Sequence, residues 1–176
     1  MKNKIIIVCL FLFSSCNDSK SVKNSSDAEV KPELKEASLP DKFREPLGYV
    51  SDFENLFTVQ QISELEKRLS EFELINKRKI SIVTVDSIEP YEDILDFATH
   101  LAKEWGTLDG DPNNGLLILF SRSIGQISIV TGIETRERIT DEVCEKVINK
   151  IILPEFKNEN YFIGIDKSVT YLIKYW

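Results

Sequence analysis

Leu116-Leu117-Ile118-Leu119-Phe120 is an unbroken apolar run between a polar, glycine-containing loop and the tight connection Ser121 to Gly125. A run of that length bounded by turn residues suits a β-strand covered on both faces. Gln126-Ile127-Ser128-Ile129-Val130-Thr131 then alternates in polarity, so the two segments predict a hairpin. Upstream, Lys79 to Val85 is β-branched and partly alternating, which predicts a further strand.

Helical periodicity fills the spaces between these strands. Thr58 followed three places later by Gln61 reads as a capping box, and Ile62, Leu65, Leu69 and Phe72 recur at helical spacing, predicting a helix from about Val59 to Ile75. Pro90 suits the first position of a second helix, with Glu92 and Asp93 in its opening turn and Ile94, Leu95, Phe97, Ala98, Leu101 and Trp105 as its inner stripe. Thr140 is the expected cap of a third helix carrying Val143, Val147, Ile148, Ile151 and Ile152, stopped or kinked at Pro154. A fourth follows Asn160, with Phe162, Ile165, Val169, Leu172 and Ile173 turned inward. This order predicts an α/β sandwich with about four helices and a mixed sheet that includes the hairpin.

The N-terminus speaks to location. Lys2 and Lys4 precede the apolar run Ile5 to Phe13, which reads as a secretory signal because a bilayer-spanning helix takes roughly 20 residues. Ser14-Ser15-Cys16 resembles a bacterial lipoprotein box, with Cys16 as the lipidated mature terminus. Phe13 stands where leucine is usual, and ordinary cleavage without lipid stays open. The organisation expected is a signal peptide over residues 1–15, a lipidated cysteine and flexible tether over 16–45, and one domain over 46–176. The tether rests on composition: Ser, Lys, Glu, Asp and Pro with scattered aliphatics cannot bury enough surface to offset the entropy of ordering.

The formal charge is −7, and loss of Lys2 and Lys4 takes it to −9. Such an acidic balance argues against nucleic acid as a partner and against direct adsorption to anionic lipid, and it is compatible with cation binding. Of three cysteines, Cys9 leaves with the signal and Cys16 is the candidate anchor, so Cys144 remains as a buried, inert thiol on a helix. His100, the sole histidine, falls on the polar side of the second helix, where a solvated role is expected.

The richest candidate site is Trp105 to Gly115, reading WGTLDGDPNNG. Asp109, Asp111, Asn113 and Asn114 are hard oxygen donors on turns set by Gly and Pro, although the same residues serve any surface turn. Asp52 before the first helix and Asp141 at the start of the third could join them if loops at one edge of the sheet converge. Each also has a structural reading, Asp52 shaping a turn and Asp141 favouring the positive end of a helix. Oxygen-only ligands favour Ca²⁺ or Mg²⁺ over zinc. There is no Cys-x5-Arg loop, G-x-S-x-G elbow or P-loop. Hydrolysis would therefore have to be metal-assisted, with Arg136 and Arg138 as candidate phosphate holders, although arginines in a loop also serve as solvated charges.

Asp52, Trp105-Gly106, Asn114-Gly115-Leu116-Leu117, Val130-Thr131-Gly132, Thr140-Asp141 and Ile152 to Lys157 ahead of Tyr161 and Gly164 together resemble the TPM domain family. The resemblance covers about Val50 to Trp176. It implies a Rossmann-like α/β sandwich, divalent cation binding as in several members, and an acid phosphatase activity as proposed for a plant member. Two departures stand out. The family has Asp-Asn-Gly where this chain has Asn113-Asn114-Gly115, and Tyr-Gly-Leu-Glu where it has Ile133-Glu134-Thr135-Arg136. The functional expectation is a binding or assembly-assisting module that carries a divalent cation, lipid-anchored in the bacterial envelope with an envelope protein as possible partner. A weak metal-dependent phosphatase is the alternative.

Overall fold

The computed structural model describes residues 39–43, 45–108 and 114–176. Its centre is a four-stranded sheet in the order β1-β2-β3-β4, with β1 (Val50–Asp52), β2 (Lys79–Thr84) and β3 (Gly115–Ser121) parallel and β4 (Gln126–Thr131) antiparallel to β3. All seven residues of β3 are buried, as its uninterrupted apolarity requires.

Alternation along the strands divides the core in two. Ile80, Ile82, Leu116, Ile118 and Phe120 face a layer formed by α1 (Val59–Asn76), α4 (Asp141–Val147) and α6 (Tyr161–Tyr175). Val83, Leu117, Leu119 and Val130 face the opposite way, against α2 (Ile94–Glu104). The result is the expected α/β sandwich with a mixed sheet and a hairpin.

Local chemistry explains the boundaries. The Thr58 hydroxyl accepts from the Gln61 amide at 3.2 Å while the Thr58 amide donates to the Gln61 side chain at 2.9 Å, closing the predicted capping box. Lys77 ends α1 in the left-handed conformation (φ 57°), its N–H returning to the Glu73 carbonyl.

The second helix begins later than expected. Pro90 lies in a turn that starts with a cis Glu89–Pro90 bond, and α2 starts at Ile94. Asp93 sets that start, because its carboxylate accepts the amides of Leu95 (2.7 Å) and Asp96 (3.2 Å), which a proline at the first position cannot do. Of the inner stripe, Leu95 is exposed, whereas Trp105 packs half-buried against the α2 core. It follows the helix and donates its indole N–H to the Phe43 carbonyl at 2.8 Å.

Pro154 neither stops the third helix nor leaves it regular. The chain passes from α4 through a π-helical segment, Ile148–Ile152, into α5 (Leu153–Phe156). Widening the turn ahead of a residue that lacks an N–H keeps the segment helical. A further short helix, α3 (Ile133–Arg136), falls where no periodicity had marked one.

The packed region also starts earlier than residue 46. Leu39 and, on a 3-10 turn (Asp41–Phe43), Phe43 are buried against α2, and the Phe43 ring meets Phe53 and Phe97 edge-on. The expected tether therefore yields at least these residues to the domain, since two buried aliphatic and aromatic side chains offset the local ordering that a wholly polar segment could not.

Candidate functional site

Three parallel strands give the sheet two distinct ends, and the expected ligands divide between them. Asp52 closes β1 at the C-terminal end, in register with Thr84 of β2, which is in turn opposite Phe120 of β3. Asn114 lies at the other end, immediately before Gly115. Gly115 and Phe120 are five steps apart along the strand, a span of roughly 17 Å at the usual rise. Asp52 therefore does not share a pocket with Asn114.

The chemistry of Asp52 agrees with that separation. One carboxylate oxygen accepts the Phe57 amide at 2.7 Å and the other accepts the Thr84 hydroxyl at 2.6 Å, with the residue 7% exposed. One oxygen thus fastens the turn before α1 and the other ties β1 to β2, which gives Asp52 a structural role at this end of the sheet. Glu54 does similar work nearby, accepting the amides of Arg122 and Ser123 in the hairpin turn.

At the N-terminal end a cavity of about 740 Å³ is walled by the end of α1, the start of β3 and the residues after α2. Tyr49, Glu73, Lys79, Thr107 and Asn114 are among its lining. The Tyr49 phenol is pushed up to about 12 by burial, by its hydrogen bond to Glu73 and by the negative charge of Glu73 and Glu66. Thr107 is buried, and among the described residues its hydroxyl has no hydrogen-bond partner. Apart from Asn114, this lining carries no residue that the sequence had marked as a candidate ligand. One signal was available: α1 has no basic residue in its last turn and carries Glu73 there, a placement that opposes the helix dipole.

A second hollow, about 600 Å³, opens beside β4 between α2 and α4. Asp141 and Arg136 line it, as does Leu108, the last described residue before position 109. Asp109, Asp111 and Asn113 lie outside the described residues. Thus Asp141 and Arg136 come together near the entry to that loop, Asn114 borders the neighbouring cavity, and Arg138 is exposed outside both linings. Among the described residues, no three His, Cys, Asp or Glu side chains converge as a metal cluster.

The remaining polar groups here have structural partners or raised barriers to reaction. Thr140 occupies the N-cap position of α4, yet its hydroxyl serves the Glu142 side chain and holds that carboxylate below its usual range. Burial, then the charge of Asp141, pushes the Cys144 thiol up to about 11, so it is protonated at neutral pH. His100 is half-buried with its ring 5.3 Å from that of Tyr91, instead of standing free in solvent.

The family profile described as the TPM domain matches residues 50–175. The chain belongs to the TPM domain family. Its fold is similar to the N-terminal domain of a protein from P. gingivalis, at 25% identity and TM-score 0.66 over 72% of this chain and 80% of that one. The N-terminal domain of a Corynebacterium glutamicum protein shares the fold at 14% identity and TM-score 0.58, covering 78% of this chain and 84% of that domain. No curated protein matches it by sequence. Within this TPM domain, the family's Asp-Asn-Gly position corresponds to the start of β3, and its Tyr-Gly-Leu-Glu position to α3. There Glu134 is exposed and Thr135 is buried, with the Thr135 hydroxyl donating to the Gly115 carbonyl at 3.0 Å.

Proposed function

We propose that this TPM domain is an envelope-tethered binding or assembly-assisting module that carries a divalent cation, Ca²⁺ or Mg²⁺, on the loop Asp109 to Asn114 with Asp141. The observation that carries the reading is the shared hollow of Asp141 and Leu108, which sets a hard oxygen donor beside the start of an acidic loop. The described residues supply too few carboxylates for an ion by themselves, so the loop would provide most of the ligands.

The alternative, a weak metal-dependent phosphatase, draws on the Arg136 guanidinium in the same hollow as Asp141. There the cation would supply Lewis acidity when bound. Calcium titration of the full chain with thermal denaturation and a phosphomonoester assay separates the two. Stabilisation by millimolar Ca²⁺ without turnover supports the module, whereas turnover abolished by chelation and by Asp111→Asn supports the enzyme. No stabilisation and no calorimetric binding of either ion sinks both. Attachment to the membrane would come through lipid on Cys16; palmitate labelling lost in Cys16→Ser tests it.

A further inference from the structure

The two edges of the sheet are treated differently by the sequence. At the β1 edge the strand is three residues long, and the outward-facing Val50 amide donates to the Glu66 carboxylate at 2.7 Å. That edge is closed by a side chain. The β4 edge is six residues long, without bulge, proline, lysine or any charged residue.

Register shows which backbone groups are left there. Gly132 N–H donates to Gly115 O at 2.8 Å, so in the antiparallel ladder alternate residues from Gly132 back to Gln126 face β3. The N–H and C=O groups of Ile127, Ile129 and Thr131 consequently point away from it. Among the described residues no strand pairs with this edge. The hollow between α2 and α4 runs along it, including all of Ile127 to Thr131 in its lining, so the unpaired backbone lies in a slot between two helices. Exposed edges of this kind ordinarily carry a blocking device, and among the described residues this one has none.

We infer that the β4 edge receives an extended, basic segment of a partner protein as a fifth strand. Only an extended chain offers backbone donors and acceptors at the two-residue spacing of Ile127, Ile129 and Thr131. The charge of the partner follows from the walls: with Asp141 given to the ion, Asp96 on α2 and Glu145 on α4 still outweigh Arg136 among the described lining residues. Lysine or arginine alternating with apolar residues complements such a slot. A second copy of this chain does not, because pairing β4 with β4 would bring two acidic rims together. The inference rests on the module reading above and names its partner class.

The probe is an acetylated, amidated seven-residue peptide alternating lysine and valine, titrated into the full chain and read by amide hydrogen exchange and NMR shifts. Protection of the Ile127, Ile129 and Thr131 amides, lost when the peptide is N-methylated on its pairing side, is the expected result. The double variant Asp96→Lys, Glu145→Lys alters two exposed side chains and should weaken this peptide by about tenfold or more, while improving binding of the glutamate–valine counterpart. Absence of protection at millimolar peptide overturns the inference, as does equal binding of the glutamate peptide to the unmodified chain. Protection of the same amides without peptide, together with concentration-dependent dimerisation, overturns it in favour of a second copy. Calcium stabilisation measured alongside shows whether the module reading survives any of these failures.

Discussion

Replacing Gly115 with alanine tests the geometry on which the acidic loop is mounted. A Cβ there would stand 1.5 Å from the Thr107 carbonyl oxygen and 2.6 Å from its carbon. An ordinary carbon–oxygen contact is roughly 3.3 Å, so two backbone segments must part by about 2 Å. The Gly115 carbonyl accepts both the Gly132 amide (2.8 Å) and the Thr135 hydroxyl (3.0 Å), and parting the segments strains both. Overpacking costs about 1–3 kcal/mol and each strained bond about 1 kcal/mol, which together give about 3–5 kcal/mol. At roughly 4 °C per kcal/mol for a domain of this size, the melting temperature should fall by about 12–20 °C. Gly125→Ala is the control: its φ of +73° is costly for alanine, but nothing lies within 4 Å of the new Cβ. It should lose only about 1–2 kcal/mol. Parallel thermal and urea unfolding by circular dichroism measures both, and a Gly115→Ala loss no larger than that of Gly125→Ala would refute the close approach of Thr107.

Asp52→Ala should cost about 2–4 kcal/mol by leaving the Phe57 amide and Thr84 hydroxyl without their acceptor, yet leave Ca²⁺ affinity unchanged; a calorimetric loss of ion binding in a folded variant would contradict the structural role given to Asp52. Cys144 should resist iodoacetamide in the native protein at pH 8 and react on unfolding in urea, because its thiol is pushed up to about 11; rapid native labelling would refute it. The same direction sets an alkaline limit. Cys144 and Tyr49 ionise near 9.0 and 10.0 when unfolded and near 11 and 12 when folded, so stability is fully present below pH 9 and declines as pH rises toward 12. Urea midpoints that stay level from pH 8 to pH 11 would contradict it.

Much of this architecture was readable because local signals and tertiary demands agree. The β3 run, the β4 alternation and the Thr58 capping box each carry their own instruction, and each is present where expected. The start of α2 was misread because Pro90 and Asp93 are both legitimate helix-start signals; a cap that satisfies two amides prevailed over a ring that merely tolerates the position. Strand β1 could not be read from three residues, since its pairing with β2 bridges the whole of α1. The site was less legible than the fold for the same reason. Nothing within Val50 to Asp52 says which end of a parallel sheet its last residue will occupy, and strand direction alone decides that Asp52 and Asn114 part company.

Strand direction also limits what can be carried over from relatives. A cation held by the loop at the start of β3 can draw only on residues at that end of the sheet, which here are Asp141 and Asn114 but not Asp52. Where the family has a carboxylate ahead of Asn-Gly, this chain has Asn113, so under the proposed reading an ion would lean more heavily on Asp109, Asp111 and Asp141. Fewer carboxylates lower affinity for a hard cation, and Arg136 facing the same hollow lowers it further by repulsion. The expected consequence is a low-affinity site, and restoring the family residue with Asn113→Asp should tighten Ca²⁺ binding measurably in calorimetry. An unchanged or weakened affinity in that variant would mean that position 113 does not face the ion, and the ligand set proposed for the loop would have to be abandoned.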